Sequence, residues 1–333
     1  MRARAAVLHE PKAVSGEPLR IEDREIAPPA PGEVLLRVRT CGVCRTDLHI
    51  VEGELPPHRA SIVPGHQIVG EVIALGAGAT LALGARVGVS WLGGTDGTCA
   101  YCVGGRENLC DRPVFTGYDR DGGYASCVTA RDDFCVELPE ALSDQQAAPL
   151  LCAGIIGFRA LRVAGVAPGE RVGLFGFGSS AHLALPVLRA WDCEVYVATR
   201  GDSHRALAHE LGAYWVGGAS DLPPLGLDRA VTFAPSGDVV LCALRSLRKG
   251  GVLAINAIHL DRMPAFDYDS MLWGERQIRS VTNMTRADAH DFLRLAAQIG
   301  LRPRVTPFPL ERANAALQSL KRDALDGAAL IVP

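Results

Sequence analysis

The chain has 333 residues, 48% of them hydrophobic, enough for two packed cores and hence for two domains. Its 34 basic against 37 acidic residues give a net charge of -3 with no broad basic footprint, which argues against nucleic acid as the main partner and toward a small, weakly charged one. The N-terminus lacks the apolar run of a signal peptide, and the longest apolar run, Ala147 to Phe158, is broken by Pro149 and ended by Arg159, short of the ~20 residues a membrane span requires.

A soluble cytoplasmic protein without membrane contact is therefore expected. Ten cysteines in a chain of this length, with no secretory signal, read as metal ligands and small buried side chains rather than as disulfides. Only three of the 34 basic residues are lysines (Lys12, Lys249 and Lys321), the rest being arginines, a bias that suggests a GC-rich bacterial genome and carries nothing about chemistry.

From residue 1 to about 140, short β runs alternate with Pro and Gly: Glu33 to Arg39, Val69 to Ala74 and Arg86 to Val89. An antiparallel β domain is predicted there. From Ser143 onward helical stretches alternate with short apolar strands, at Arg171 to Phe175, Glu194 to Ala198, Arg229 to Phe233 and Gly251 to Asn256, the pattern of a doubly wound parallel sheet. The tail is predicted as a helix (Asp288 to Ile299), a strand (Arg304 to Phe308), a helix (Glu311 to Lys321) and a final strand (Ala328 to Val332). Neither an internal repeat nor a low-complexity segment is evident.

The stretch Cys41-Gly42-Val43-Cys44-Arg45-Thr46-Asp47-Leu48-His49 gathers thiol, hydroxyl, carboxylate and imidazole groups, and a second imidazole follows in Pro64-Gly65-His66-Gln67. That chemistry suits zinc, whose catalytic sites take three Cys or His ligands and leave a fourth position open. Cys152 is the best candidate for the third. Farther on, Gly176-Phe177-Gly178-Ser179-Ser180-Ala181 follows a strand and precedes a helical run. Glycines in that context permit a tight turn and close approach of a pyrophosphate to the helix N-terminus.

In these segments, together with Cys99-x-x-Cys102 and Cys152-Ala153-Gly154, the chain resembles the zinc-containing medium-chain alcohol dehydrogenases over essentially its whole length. The resemblance implies an α/β fold: a GroES-like β-rich catalytic domain in two parts (1–152 and 285–333), with a Rossmann cofactor domain (153–284) inserted between them and the active site in the cleft. It implies a catalytic zinc on Cys44, His66 and Cys152. Cys41 competes with Cys44 for the first place, and the family motif favours Cys44; a Cys-x-x-Cys redox pair is the other reading of that spacing. Asp47 would accept the second ring N–H of His66. Thr46 and His49 resemble the family's proton relay, and Arg45 a position that contacts the pyrophosphate.

The family usually carries Glu after the ligand His, and this chain has Gln67. Losing that negative charge is expected to strengthen the metal as a Lewis acid and to alter exchange of its bound water. The family's four-cysteine structural zinc has Asp96, Cys99, Cys102 and Cys110 at its spacings here, so either a three-Cys, one-Asp site or a decayed lobe results.

The acidic residue that NAD specificity needs, about twenty positions on, is replaced by Thr199 and Arg200, groups suited to a 2′-phosphate. NADP is thus favoured over NAD, with Asp202 as the alternative ribose contact; Asn256 joins the cofactor residues, and a basic residue often found near the final strand is Ala328. Thr46, Trp91, Cys127 or its neighbours and the segment around Ile156 are candidates for the substrate pocket, Trp91 equally for ordinary core. The resulting expectation is a zinc-dependent alcohol dehydrogenase or aldehyde reductase acting on a small to medium primary alcohol, as a homodimer or homotetramer. Two alternatives are a zinc-independent, NADPH-dependent reductase of activated C=C bonds on the same fold and a non-catalytic NADPH-binding protein. The intact Cys44, His66 and Cys152 set speaks against the former, and the presence of Thr46 against the latter.

Overall fold

The computed structural model describes residues 1–325 and 327–333, which form two compact units, Met1–Cys152 with Asn283–Pro333 and Ala153–Thr282. The first unit is built on a seven-stranded sheet. Its order is Val305–Pro309, Ala328–Val332, Glu33–Val43, Gln67–Leu75, Arg86–Val89 and Cys135–Glu137, with Cys127–Arg131 also paired to Glu33–Val43. The central strand shares one edge between two partners: Glu33 to Arg37 pair with Cys127–Arg131, and Cys41 to Val43 with the C-terminal strand. It runs four residues beyond the predicted Arg39, because the ladder to Gln67–Leu75 continues to Gly42.

Pairing is antiparallel throughout this sheet except between Val305–Pro309 and Ala328–Val332, a parallel pair bridged by the crossover helix Ala313–Lys321. Its core cluster joins both chain segments: Leu36, Val38, Ile68 and Val87 pack with Leu310, Leu317 and Ile331. The helix Arg286–Gln298 starts two residues earlier than its apolar periodicity indicates, because Thr285 caps it and the Asp288 carboxylate accepts the Thr285 N–H at 2.9 Å.

The second unit has six parallel strands in the order Trp215–Gly217, Glu194–Ala198, Arg171–Phe175, Leu227–Thr232, Leu247–Ile255 and Gln277–Ser280. Numbered along the chain this is 3-2-1-4-5-6, the dinucleotide-binding order, with its switch point beside Arg171–Phe175. Central strands buried on both faces read as unbroken apolar runs, which is why Arg171–Phe175 and Glu194–Ala198 were predictable residue for residue. The fold class is the α/β one expected.

Pro149 does not end the helix that contains it. The chain runs from the helix Asp144–Pro149 through a π-helical turn, Leu150–Gly154, into the helix Ile155–Ala164. A π turn re-spaces the backbone hydrogen bonds around the irregularity. The resulting span, Asp144–Ala164, does reach membrane-crossing length and apolarity, contrary to the run-length argument; 72% of its most apolar window is buried within the fold, so it is a core helix.

Candidate metal centre

Cys44 follows the strand Glu33–Val43 and caps the helix Arg45–Glu52 with extended backbone, while His66 immediately precedes the strand Gln67–Leu75. Because Gly42 pairs with Gln67, the two residues leave the sheet at the same end of the ladder. Cys152 comes from the π turn, a local distortion of the kind that often serves functional sites. The donor atoms of Cys44, His66 and Cys152 all lie within 4.8 Å of one another, and Cys44 Sγ is 3.3 Å from His66 Nε2.

Asp47 is fully buried and ties two of these residues together. Its Oδ1 lies 3.0 Å from His66 Nδ1, and its Oδ2 accepts the Cys44 backbone N–H at 2.9 Å. With Nδ1 engaged, His66 has Nε2 as the nitrogen available to a metal. Hydrogen bonding from Cys152 holds the Cys44 thiol well below its ordinary pKa despite burial, and the same bond, then burial, pushes Cys152 well up. Burial opposes charge on His66, but Asp47 and Cys44 beside it raise its pKa well above the usual imidazole value. Two thiols and an imidazole, one thiol already primed for ionisation, are a donor set that fits zinc. Cys41 stays apart: it is fully buried, and burial, then Asp47, drive its pKa well up.

Thr46 sits in the first helical turn, 8% exposed. His49 lies nearly one turn on, with its Nδ1 paired to Glu54 Oε2. Glu54 escaped the sequence reading; the only sign of it was Gly53, whose left-handed C-cap folds the following chain back on the helix. Arg45 extends to Asp323, with 2.6 Å between Nη2 and Oδ1. Gln67 is 2% exposed against Gly42, and its Nε2 makes no hydrogen bond. The partly buried Trp91 ring stacks on Phe115 at 4.8 Å and meets the His66 ring edge-on at 5.1 Å, so it is at once core and neighbour of the ligand. Cys127 does not join this group: strand alternation turns it into a small cluster with Ala3 and Leu35.

A second cluster unites Asp96, Cys99, Cys102 and Cys110, again with donor atoms within 4.8 Å. Asp96 Oδ1 accepts the N–H groups of Thr98 (2.9 Å) and Cys99 (3.0 Å), and Arg112 lies beside Oδ2. These bonds hold the Asp96 carboxyl well below its usual range. The N–H groups of Asp96 and Arg112 point at Cys110 Sγ, at 3.5 and 3.4 Å.

In the second unit, Gly176 follows the strand Arg171–Phe175 with a left-handed backbone (φ 85°), where a Cβ would crowd Ala234. Gly178 caps the helix Ser179–Ala190, leaving its first N–H groups, at Ser179, Ser180 and Ala181, at the end of the turn that contains Phe177. Thr199 is buried at the end of the neighbouring strand and Arg200 is exposed. The carbonyls of both accept from Arg205, whose guanidinium also pairs with Asp202. Arg205, a second guanidinium at this turn, was not anticipated. Asn256 continues from Leu247–Ile255 and donates its N–H to Thr232 O, Ile156 is the second residue of the helix Ile155–Ala164, and Ala328 begins the last strand.

The alcohol dehydrogenase GroES-like domain family matches residues 30–140. A Mycobacterium tuberculosis protein described as a probable alcohol dehydrogenase, AdhA, is 47% identical over 98% of this chain and 96% of its own. An alcohol dehydrogenase of Geobacillus stearothermophilus is 34% identical over 97% of this chain and 98% of its own. Among solved structures, that of AibC superposes with a TM-score of 0.92 at 28% identity, covering 100% of this chain and 96% of that one.

Proposed function

Because this chain belongs to the zinc-containing medium-chain alcohol dehydrogenase family, we propose that it interconverts small to medium primary alcohols and their aldehydes, with zinc on Cys44, His66 and Cys152 and NADP(H) as hydride carrier. It is an oxidoreductase acting on alcohols. The observation that carries the zinc reading is the trio of convergent donors, which among the described residues includes no fourth. Three protein ligands with one position left for substrate is the stoichiometry of catalytic zinc.

When bound, the metal supplies Lewis acidity toward the substrate oxygen and the nicotinamide gives or takes the hydride. The chain's own residues do the rest. Asp47 fixes the His66 ring through Nδ1 and the Cys44 backbone through its N–H. The Thr46 hydroxyl accepts the alcohol proton while giving up its own toward His49, which releases a proton to solvent, its imidazole steadied by Glu54. In the other unit, the helix N-terminus after Gly178 receives the pyrophosphate. Arg200, with Arg205 neutralising Asp202, favours a 2′-phosphate over a bare ribose. The Asp96 lobe holds a second, structural zinc through one carboxylate and three thiolates. We place the enzyme in the cytoplasm as a homodimer or homotetramer, on the strength of the family.

Metal per chain, measured by elemental analysis of protein purified without added zinc, tests this reading. We expect about two zincs in the wild type and one in Cys44→Ser, with aldehyde-dependent NADPH oxidation lost. One zinc falling to near zero would mean an empty Asp96 lobe. None in the wild type would sink the mechanism and favour zinc-independent reduction of C=C bonds.

A further inference from the structure

Outside the metal centres, His58, Tyr118 and Asp119 form a cluster that the mechanism so far does not use. The Tyr118 hydroxyl donates to Pro56 O at 2.5 Å, His58 Nε2 lies 3.1 Å from that same hydroxyl, and His58 Nδ1 lies 2.6 Å from Asp119 Oδ1. The imidazole also rests on the phenol ring, with 4.3 Å between the centroids. Asp119 is fixed in turn by the Phe115 N–H, which its Oδ2 accepts at 2.7 Å.

Counting donors sets the charge of this histidine. A carbonyl oxygen only accepts, so the single Tyr118 proton lies toward Pro56 O, and the Tyr118 oxygen meets His58 as an acceptor. The carboxylate of Asp119 likewise only accepts. Both ring nitrogens of His58 therefore carry hydrogen, and the ring is an imidazolium with each N–H engaged. A neutral imidazole has a single N–H and would leave one of the two contacts unmade.

The cluster stands behind Trp91. Tyr118 is buried, and its ring stacks on Trp91 at 6.0 Å with 26° between the planes, while Trp91 meets the His66 ring edge-on. His58 also closes the loop 54–58, whose first residue, Glu54, pairs with His49 Nδ1 and donates its own N–H to His49 O at 2.9 Å. One cation thus fastens both the loop that follows the helix Arg45–Glu52 and the ring that supports Trp91.

We propose that His58 is a positioning residue of the alcohol pocket: as a doubly donating cation it locks Tyr118 against Trp91 and so sets how bulky a substrate the pocket admits. The proposal rests on the alcohol dehydrogenase reading, with Trp91 as a wall of that pocket. The ratio of kcat/KM for ethanol to that for benzyl alcohol, at saturating nicotinamide cofactor, tests it on wild type, His58→Phe, Tyr118→Phe and the double variant. Phenylalanine at position 58 keeps a ring against Tyr118 and removes both donors. Nitrogen-15 spectra of the histidine rings at neutral pH test the charge directly.

We expect the wild-type spectrum to contain one ring, absent from His58→Phe, with both nitrogens protonated. The kcat/KM ratio should move about fivefold in favour of benzyl alcohol in either single variant, the equivalent of one lost hydrogen bond. The double variant should show nothing further, because both substitutions remove the same contact. A bare nitrogen on that ring, a ratio unchanged in His58→Phe even where its melting temperature falls, or shifts that multiply in the double variant overturn the clamp. Should Tyr118→Phe fail to fold, the ratio in His58→Phe and the wild-type spectrum decide. Wild type that oxidises neither alcohol overturns the functional reading and the pocket role with it; wild type that oxidises them in a ratio His58→Phe does not alter overturns the clamp alone.

Discussion

A single backbone angle separates Gly65 from any other residue at its position. Its left-handed φ of 99° and the ring of Tyr124 against its α-carbon leave no place for a methyl group. Gly65→Ala should therefore destabilise the first unit by about 2–4 kcal/mol, combining backbone strain with overpacking, and lower zinc content with it. Denaturant unfolding of the metal-free protein, with metal analysis in parallel, checks this; an unchanged midpoint refutes it. Arg200 supplies a different test. Losing one charge-assisted contact to a 2′-phosphate should raise the KM for NADPH roughly tenfold in Arg200→Ala and leave that for NADH nearly unchanged. Equal effects on both cofactors would return Asp202 to consideration. The convergence of Cys44, His66 and Cys152 was legible in sequence because ligand chemistry restricts a position to few residue types, and each of the three sits in a short distinctive context. The contacts of Glu54 with His49 and of Arg205 with the Thr199 and Arg200 carbonyls were not, because only the folded chain brings them about.

At the scale of elements, the helix Arg45–Glu52 is anchored at its last residue. Glu52 accepts the Val14 N–H at 2.8 Å and both its oxygens take Lys321 Nζ, at 2.7 and 2.8 Å, so one carboxylate joins this helix to the turn Val14–Gly16 and to the helix Ala313–Lys321. Burial works against its ionisation, but Lys321 and the Val14 N–H prevail and hold its pKa below the usual range. A carboxylate with a depressed folded pKa contributes stability above its unfolded pKa, about 4.3, and loses it as pH falls through the folded value. Glu52→Gln should thus cost about 1–2 kcal/mol near neutrality, with the difference from wild type shrinking as pH falls below about 4.3. Thermal melts across that range read the effect, and a pH-independent gap would contradict it. Elements with local signatures were the easier ones to anticipate: Arg86–Val89 and Ala328–Val332 lie where predicted. The run around Pro149 was read as broken because a proline interrupts apolar periodicity in sequence, whereas the folded chain continues past it by changing its hydrogen-bond spacing.

The whole molecule divides unevenly along its chain. The second unit is one continuous stretch, Ala153–Thr282, and its sheet and apolar cluster around Phe175, Leu227, Val240 and Leu253 need nothing from outside. The first needs both ends: without Asn283–Pro333 the strand Glu33–Val43 loses its C-terminal partner, and the core loses Leu310, Leu317 and Ile331. Those three side chains alone are worth roughly 6 kcal/mol, comparable with the net stability of a domain. Residues 153–282 expressed alone should melt cooperatively, and residues 1–152 should not; a cooperative transition in the shorter N-terminal piece would refute this. The same arrangement has a consequence for synthesis. A ribosome releases Cys44 and His66 early, but the strand that completes their sheet emerges last, so the central unit is free to fold while the N-terminal segment waits. Through most of translation the Cys44 thiol and the His66 ring therefore stay on an unfinished surface, which the fold closes only when that last strand pairs.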